Sequence, residues 1–252
     1  FWQDSTSKSA TKTYRHPLGI IVWQKSMMRL RNFINPFSNE LNFCYENDED
    51  GVYFTIRRFE QFIYTLEKKI AEDNENILKE LEDEDEDVVR SILNQYDVQN
   101  SLHYFNDTIL KSFIVSIYSY FEHKLKQISE ISEKYLQPSK NIKNFKNGVS
   151  DIEKYNSFLC SEIIPDLISL DLDFQKIKKW KELRRLIVHY NSIIDGSNLD
   201  LSTYNSINDE YGVIKITDNK DILDLLNQIE IYLKAVITLI NDKYKLVVYS
   251  QI

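Results

Sequence analysis

A chain of 252 residues with two cysteines, five glycines, four prolines and a net charge of −8 is long enough to bury a substantial core. It has too few cysteines for a disulfide framework or a structural zinc, and few sites for tight turns. No apolar run approaches the roughly 20 residues that span a bilayer, and the start lacks a secretory pattern, so the chain reads as soluble and cytoplasmic, with no membrane partner. An acidic balance opposes wholesale attraction to nucleic acid, but much of the excess sits in one run, EDEDED at 82–87. That run lacks the glycine and ligand spacing of a calcium loop and reads as a solvated face; the sharper alternative is an inhibitory lid over a basic segment.

In chain order, residues 1–16 show no periodicity and form a tail without fold. Residues 17–34 carry a first helix, stopped by Asn35-Pro36 because a residue before proline resists the helical region. NDEDG at 47–51 reads as a turn before a helix over 53–70, and a second arm runs from Ile77 through Val88 and Ile92 to Tyr96. These make 17–100 an N-terminal helical extension to a domain at 101–252. The strongest helical signal, over 102–136, repeats Phe105, Ile109, Phe113, Ile117, Tyr120 and Leu125 and predicts a central, largely buried helix ending at Pro138. The loop 138–148 sets Phe145 among Lys140, Lys143 and Lys146, charge for a single strand's backbone and a ring for its bases, though ordinary loops share this composition.

Helices are predicted over 151–164 and 174–194, the latter stopped by Asp195-Gly196. A short strand or strap follows at 213–216, then a last helix after Asp218-Asn219 carried by Ile222, Leu225, Leu226, Ile229, Leu233, Val236, Ile237 and Ile240. Residues 245–252 form a short strand or a dimer strap. Cys44 and Cys160 are read as reduced, Cys160 as buried. The class is all-α with at most short β segments, packed by 16 tyrosines and 13 phenylalanines.

The chemistry concentrates in KIKKWKELRRLIVHYNSII at 176–194. Histidine exchanges a proton near neutral pH, and arginine is a permanent cation whose planar fork suits phosphate oxygens. His189 would take the proton of a ribose 2′-hydroxyl and Arg184 would offset charge building on the phosphoryl oxygens. A spacing of five puts the two roughly 140° apart on a helix, while Arg185 shares the face of His189, so the site asks for a second subunit. Lys176, Lys178, Lys179 and Lys181 would hold RNA. The bland reading is that Trp180, Leu183, Ile187, Tyr190 and Ile194 form a core stripe, with solvated charges between them and His189 at the rim.

The string ELRRLIVH at 182–189 resembles the signature of HEPN domains, all-helical ribonucleases and nucleotide-binding modules of prokaryotic toxins and defence systems: arginine, a polar residue, a few apolar residues, then histidine. The aromatic helix around 112–128 carrying Glu122, and the extended piece and long helix over 211–244, agree with that family. The resemblance covers roughly 102–244. It implies a HEPN-like bundle that cuts RNA without metal or cofactor, a homodimer with a composite active site, and an antitoxin or regulatory partner. It gives catalytic roles to Arg184 and His189 and supporting roles to Arg185, Glu122 and Tyr190, with Glu122 holding Arg184. Two positions depart from the pattern. Arg185 stands where asparagine is commoner, and Asn191 stands where some toxins carry a modified tyrosine, so that modification does not transfer. The alternatives are a non-catalytic HEPN-like scaffold binding a partner protein or nucleotide, and a purely structural bundle.

Overall fold

The computed structural model describes residues 36–81, 84–96, 98–145, 151–194 and 199–244. The helix expected over 17–34, the tail at 1–16 and the segment 245–252 lie outside them. The described chain is mostly helical, with one short antiparallel hairpin.

Helix α1 (Pro36–Glu46) starts on a proline, whose missing N–H costs nothing in a first turn, and buries Phe37, Leu41 and Cys44 at spacings of four and three. Gly51 closes the turn to α2 (Val52–Leu81). A Cβ there would collide with the backbone of Asn47, so only glycine fits. Helix α2 runs well past the 53–70 expected. Its first half buries Val52, Ile56 and Ile63, and its second half is held in solvent by Lys68–Glu72, Lys69–Asp73 and Lys79–Glu75 pairs one turn apart. Ile77 therefore belongs to α2, and the second arm is the shorter α3 (Glu86–Tyr96).

Helix α4 (Val98–Leu136) is the axis of the molecule, packed against the later helices, and buries Leu110, Ile114, Ile117, Phe121, Leu125 and Ile128. It ends where Gln137 takes a left-handed φ of 44° before Pro138. The boundary expected at 100/101 falls inside a single compact unit that begins at Phe37, because α1 and α2 bury their apolar stripes in the same core as α4. The loop after α4 does not present its ring to solvent: half-buried Phe145 packs edge-on against Phe158, 5.7 Å between centroids.

Helix α5 (Asp151–Phe158) loosens into a π turn at Leu159–Ile163, because Ile164 must be extended before Pro165. Cys160, expected buried, is only half so. The helix expected over 174–194 is two: α6 (Asp171–Lys178) and α7 (Trp180–His189), joined at Lys179. It stops before Asp195-Gly196, because Asn191 and Ser192 adopt φ of 50° and 67°. Strands β1 (Ile207–Glu210) and β2 (Val213–Ile216) pair from Ile207↔Ile216 to Glu210↔Val213. Their two-residue turn, Tyr211-Gly212, has positive φ at both positions, as a primed hairpin turn requires. Ile193 bridges to Val213 and ties the end of α7 to this hairpin. Helix α8 (Lys220–Tyr244) is capped by Asp218, which accepts the Lys220 N–H at 2.9 Å, and buries the apolar stripe expected of it together with Tyr232. No helix among the described residues is long and apolar enough to cross a membrane.

Candidate functional site

Helix α7 has two sides because its apolar residues recur at three and four: Trp180, Leu183 and Leu186 are buried, and Val188, His189 and Tyr190 are exposed. Arg184 turns toward α4, its guanidinium 5.9 Å from the ring centre of Tyr118. Its Nε is buried and has no hydrogen-bond partner, and neither has the Tyr118 hydroxyl beside it. His189 is solvent-exposed on the last turn and, among the described residues, takes no hydrogen bond or ion pair.

The backbone after His189 is unusual. The Leu186 carbonyl accepts N–H groups from both Tyr190 (3.1 Å) and Ser192 (2.9 Å), and the two successive left-handed residues bring Ile193 to the hairpin edge. Consecutive left-handed conformations in Asn191 and Ser192 are costly for residues with a Cβ and persist only where surrounding contacts impose them. Here those contacts are the Ile214 N–H donating to Ser192 O at 2.8 Å and the Ile194 N–H donating to Gly212 O at 2.9 Å. The hairpin thus fixes where the histidine-bearing turn ends. Alongside it lies a groove of about 620 Å³ between α4, the end of α7 and β2, with Ile187, Val188 and Asn191 on one wall and Ser112 and Lys215 among the others.

Glu122, four residues after Tyr118 and so on the same face of α4, does not hold Arg184 in an ion pair. Its side chain faces and hydrogen-bonds Asp151 at the start of α5. Burial raises the Glu122 carboxyl above its ordinary range, and the hydrogen bond and negative charge of Asp151 raise it further, against the pull of Arg184. The same desolvation, with Glu122 nearby, pushes the Tyr118 phenol far up. In the sequence Tyr118 reads only as part of the apolar recurrence of the long helix, and Asp151 only as the start of the next. The spacing of four between Tyr118 and Glu122 was visible there, but Asp151 reaches the cluster only through tertiary packing.

The basic block is largely spoken for. Lys178 and Lys181 both reach Glu153, at 2.5 and 3.2 Å, and Lys176 reaches Asp173 at 2.9 Å. Arg185 is held in a two-pronged grip by Glu182, at 2.8 and 2.5 Å, and lies 4.7 Å from the ring centre of half-exposed Tyr190. Lys179 alone of the four lysines takes no ion pair among the described residues. Arg184 is thus the one motif cation aimed inward with hydrogen-bonding capacity unused. His123 is exposed on α4, and His16 and His103 lie outside the described side chains.

No family model, curated protein or solved structure matches this chain.

Proposed function

We propose that the protein is a metal-independent endoribonuclease of the HEPN type, a toxin or antiphage effector that acts in the cytoplasm. The observation that carries this reading is that Arg184 and His189, alone among the motif's polar residues, are not consumed by the fold. Every other charged residue of 182–189 has a partner in the protein.

In the reaction, His189 removes the proton of a ribose 2′-hydroxyl. The 2′-oxygen attacks the adjacent phosphorus, the bond from phosphorus to the 5′-oxygen breaks, and the departing oxygen takes up a proton. The products are a 2′,3′-cyclic phosphate and a 5′-hydroxyl. Arg184 stabilises the extra negative charge on the non-bridging oxygens during attack. Along one helix the two residues are about 7.5 Å apart in rise and roughly 140° apart in direction, so one helix alone does not bring them onto one phosphate, and this reading calls on a second subunit to complete the site. Val188, Tyr190 and Ile193, exposed around His189, supply apolar surface for that homodimer. A restraining antitoxin or regulatory partner would cover the same surface.

The test is cleavage of a structured RNA in EDTA by the wild type and His189→Ala, with product ends identified. Cyclic-phosphate products from the wild type alone carry the proposal; no cleavage by the wild type under any oligomeric condition removes it. A second reading, a non-catalytic scaffold for a partner protein or nucleotide, is favoured by the ion pairing of Lys176, Lys178, Lys181 and Arg185, which leaves little free positive charge for RNA. It predicts partner binding that survives His189→Ala.

A further inference from the structure

A cavity of about 380 Å³ opens where the chain turns from α5 into α6. Its walls include Cys160 from the π turn, Leu167, Ile168 and Leu170 from the 3₁₀ turn Pro165–Leu170, Phe174 from α6 and Tyr232 from α8. The Tyr232 hydroxyl is already taken up inside the protein, donating to the Asn156 side-chain oxygen at 2.5 Å, so these walls offer mostly hydrocarbon.

The mouth says what would fill it. Ile168 and Leu172 are 76% and 78% exposed, and at four residues apart in successive helical turns they share a side. Single exposed apolar residues are ordinary, but two aliphatic side chains this bare beside an apolar cavity extend it into one surface. A molecule small enough to sit inside would leave both in water; covering both takes a protein surface.

Charge gives that surface its chemistry. The segment 161–173, SEIIPDLISLDLD, holds four acids and no lysine or arginine. Glu162 and Asp173 are paired with Lys140 and Lys176, whereas Asp166 and Asp171 are exposed and take no ion pair among the described residues. Exposed aliphatics between free carboxylates are complementary to apolar side chains flanked by lysine or arginine. Neither strand of the hairpin lines the cavity, so an extended peptide has no edge here to pair with. A helix needs none, because it meets a groove through side chains three and four residues apart. The volume is more than twice the roughly 150 Å³ that takes a benzene, room for two such side chains.

We infer that this cavity docks a basic amphipathic helix of a partner protein, two of its apolar side chains entering beside Ile168 and Phe174 and its cations meeting Asp166 and Asp171. No lining residue belongs to α7, so the docking site and the ribonuclease reading stand or fall separately.

The test uses Cys160 as its reporter. It lines the cavity half-buried while Cys44 is buried in the core, so thiol labelling of the folded chain reads the cavity. Labelling by dithiodipyridine is followed with a helical peptide carrying leucines three and four apart and lysines elsewhere, and with its glutamate counterpart. The proteins are the wild type, Leu172→Ser and the double variant Asp166→Asn/Asp171→Asn, with Tm measured on each. The expected result is labelling slowed about tenfold by the lysine peptide and unchanged by the glutamate peptide, with affinity for the lysine peptide weakened about tenfold in each variant. Both variants change exposed side chains, so Tm stays where it is. No protection by the lysine peptide, equal protection by both peptides, or protection indifferent to the variants overturns the docking site. A dimer of the chain alone, seen by ultracentrifugation and lost in Leu172→Ser, would overturn it too, by giving this face to a second copy.

Discussion

Two cations sit at the central helix α4, Lys124 on it and Arg184 packed against it, and the fold treats them in opposite ways. Lys124 is 0% exposed, yet its ammonium has Asp50 and Gln127 at 2.9 Å each. Arg184 lies against Tyr118 with its Nε unpaired, next to a carboxyl that has turned to Asp151. The first arrangement pins the Gly51 turn to α4, helped by the Tyr120 hydroxyl donating to the Asp50 carbonyl at 3.0 Å. A buried charge that serves the fold is completed by protein groups, because leaving it incomplete is costly. The Arg184 Nε is left incomplete on the same helix as an exposed histidine, and that difference is what supports the proposal of a site at the motif end of α7.

Substitutions can break or sharpen this contrast. On the ribonuclease reading the largest expected effect is on catalysis: His189→Ala lowers the RNA cleavage rate about 10²- to 10⁴-fold, the usual worth of a positioned proton carrier, with Tm unchanged because the side chain is exposed. Next is Asp50→Ala, which strands the buried ammonium of Lys124 and lowers unfolding free energy in urea by about 3 kcal/mol, the low end for such a pair because Asp50 is half exposed. Gly51→Ala, which forces a Cβ into the Asn47 backbone at the same turn, costs about 1–3 kcal/mol by the same assay. A Tm unmoved by either variant would remove the claim that this side of α4 is structural.

The pH dependences have opposite signs. The hydrogen bond from Lys124 depresses the Asp50 carboxyl below its ordinary 3.8, so its contribution to stability is full above that pH and is lost as pH falls through the depressed value. The Glu122 carboxyl is raised above 4.5, so the folded state holds a proton that the unfolded chain has released, and stability declines as pH rises from 4.5 through the raised value. Glu122→Gln abolishes that decline, which chemical denaturation across pH 4 to 8 would register; an unchanged slope would place its source in another group. The smallest effect is on the stability of Arg184→Met. Because it removes an incompletely bonded cation, it leaves Tm within a degree or two or raises it while cleavage falls, the trade expected where a site is held at some cost to stability. A large loss of stability would make Arg184 a structural residue like Lys124.

Much of the helical layout could be read from spacing. The buried stripe of α8 lies where its three-four recurrence put it, and the long α4 ends at the glutamine before Pro138. What failed did so for local reasons. The break at Lys179 and the π turn at 159–163 leave no mark in apolar spacing, since a kink keeps the buried faces aligned. The strand β1, INDE, is polar at three of four positions because only Ile207 is buried, so no alternation announced it. The burial of Lys124 leaves no mark in the local sequence because its acceptor, Asp50, is 74 residues away.

The sequence by itself determined that this is a mostly helical protein, and it placed one arginine and one histidine on the same helix near a dense run of lysines. Those properties follow from periodicity and residue chemistry, which are local. Asp173 and Glu182 take up Lys176 and Arg185 from one helical turn away, which spacing already allows. Only tertiary structure decided that Glu153 neutralises Lys178 and Lys181, that Glu122 faces Asp151, and that the hairpin ends α7 at His189. Charge pairing depends on which side chains the packed helices bring within a few ångströms, and α4 and α5 are separated from α7 by more than 20 residues of intervening chain.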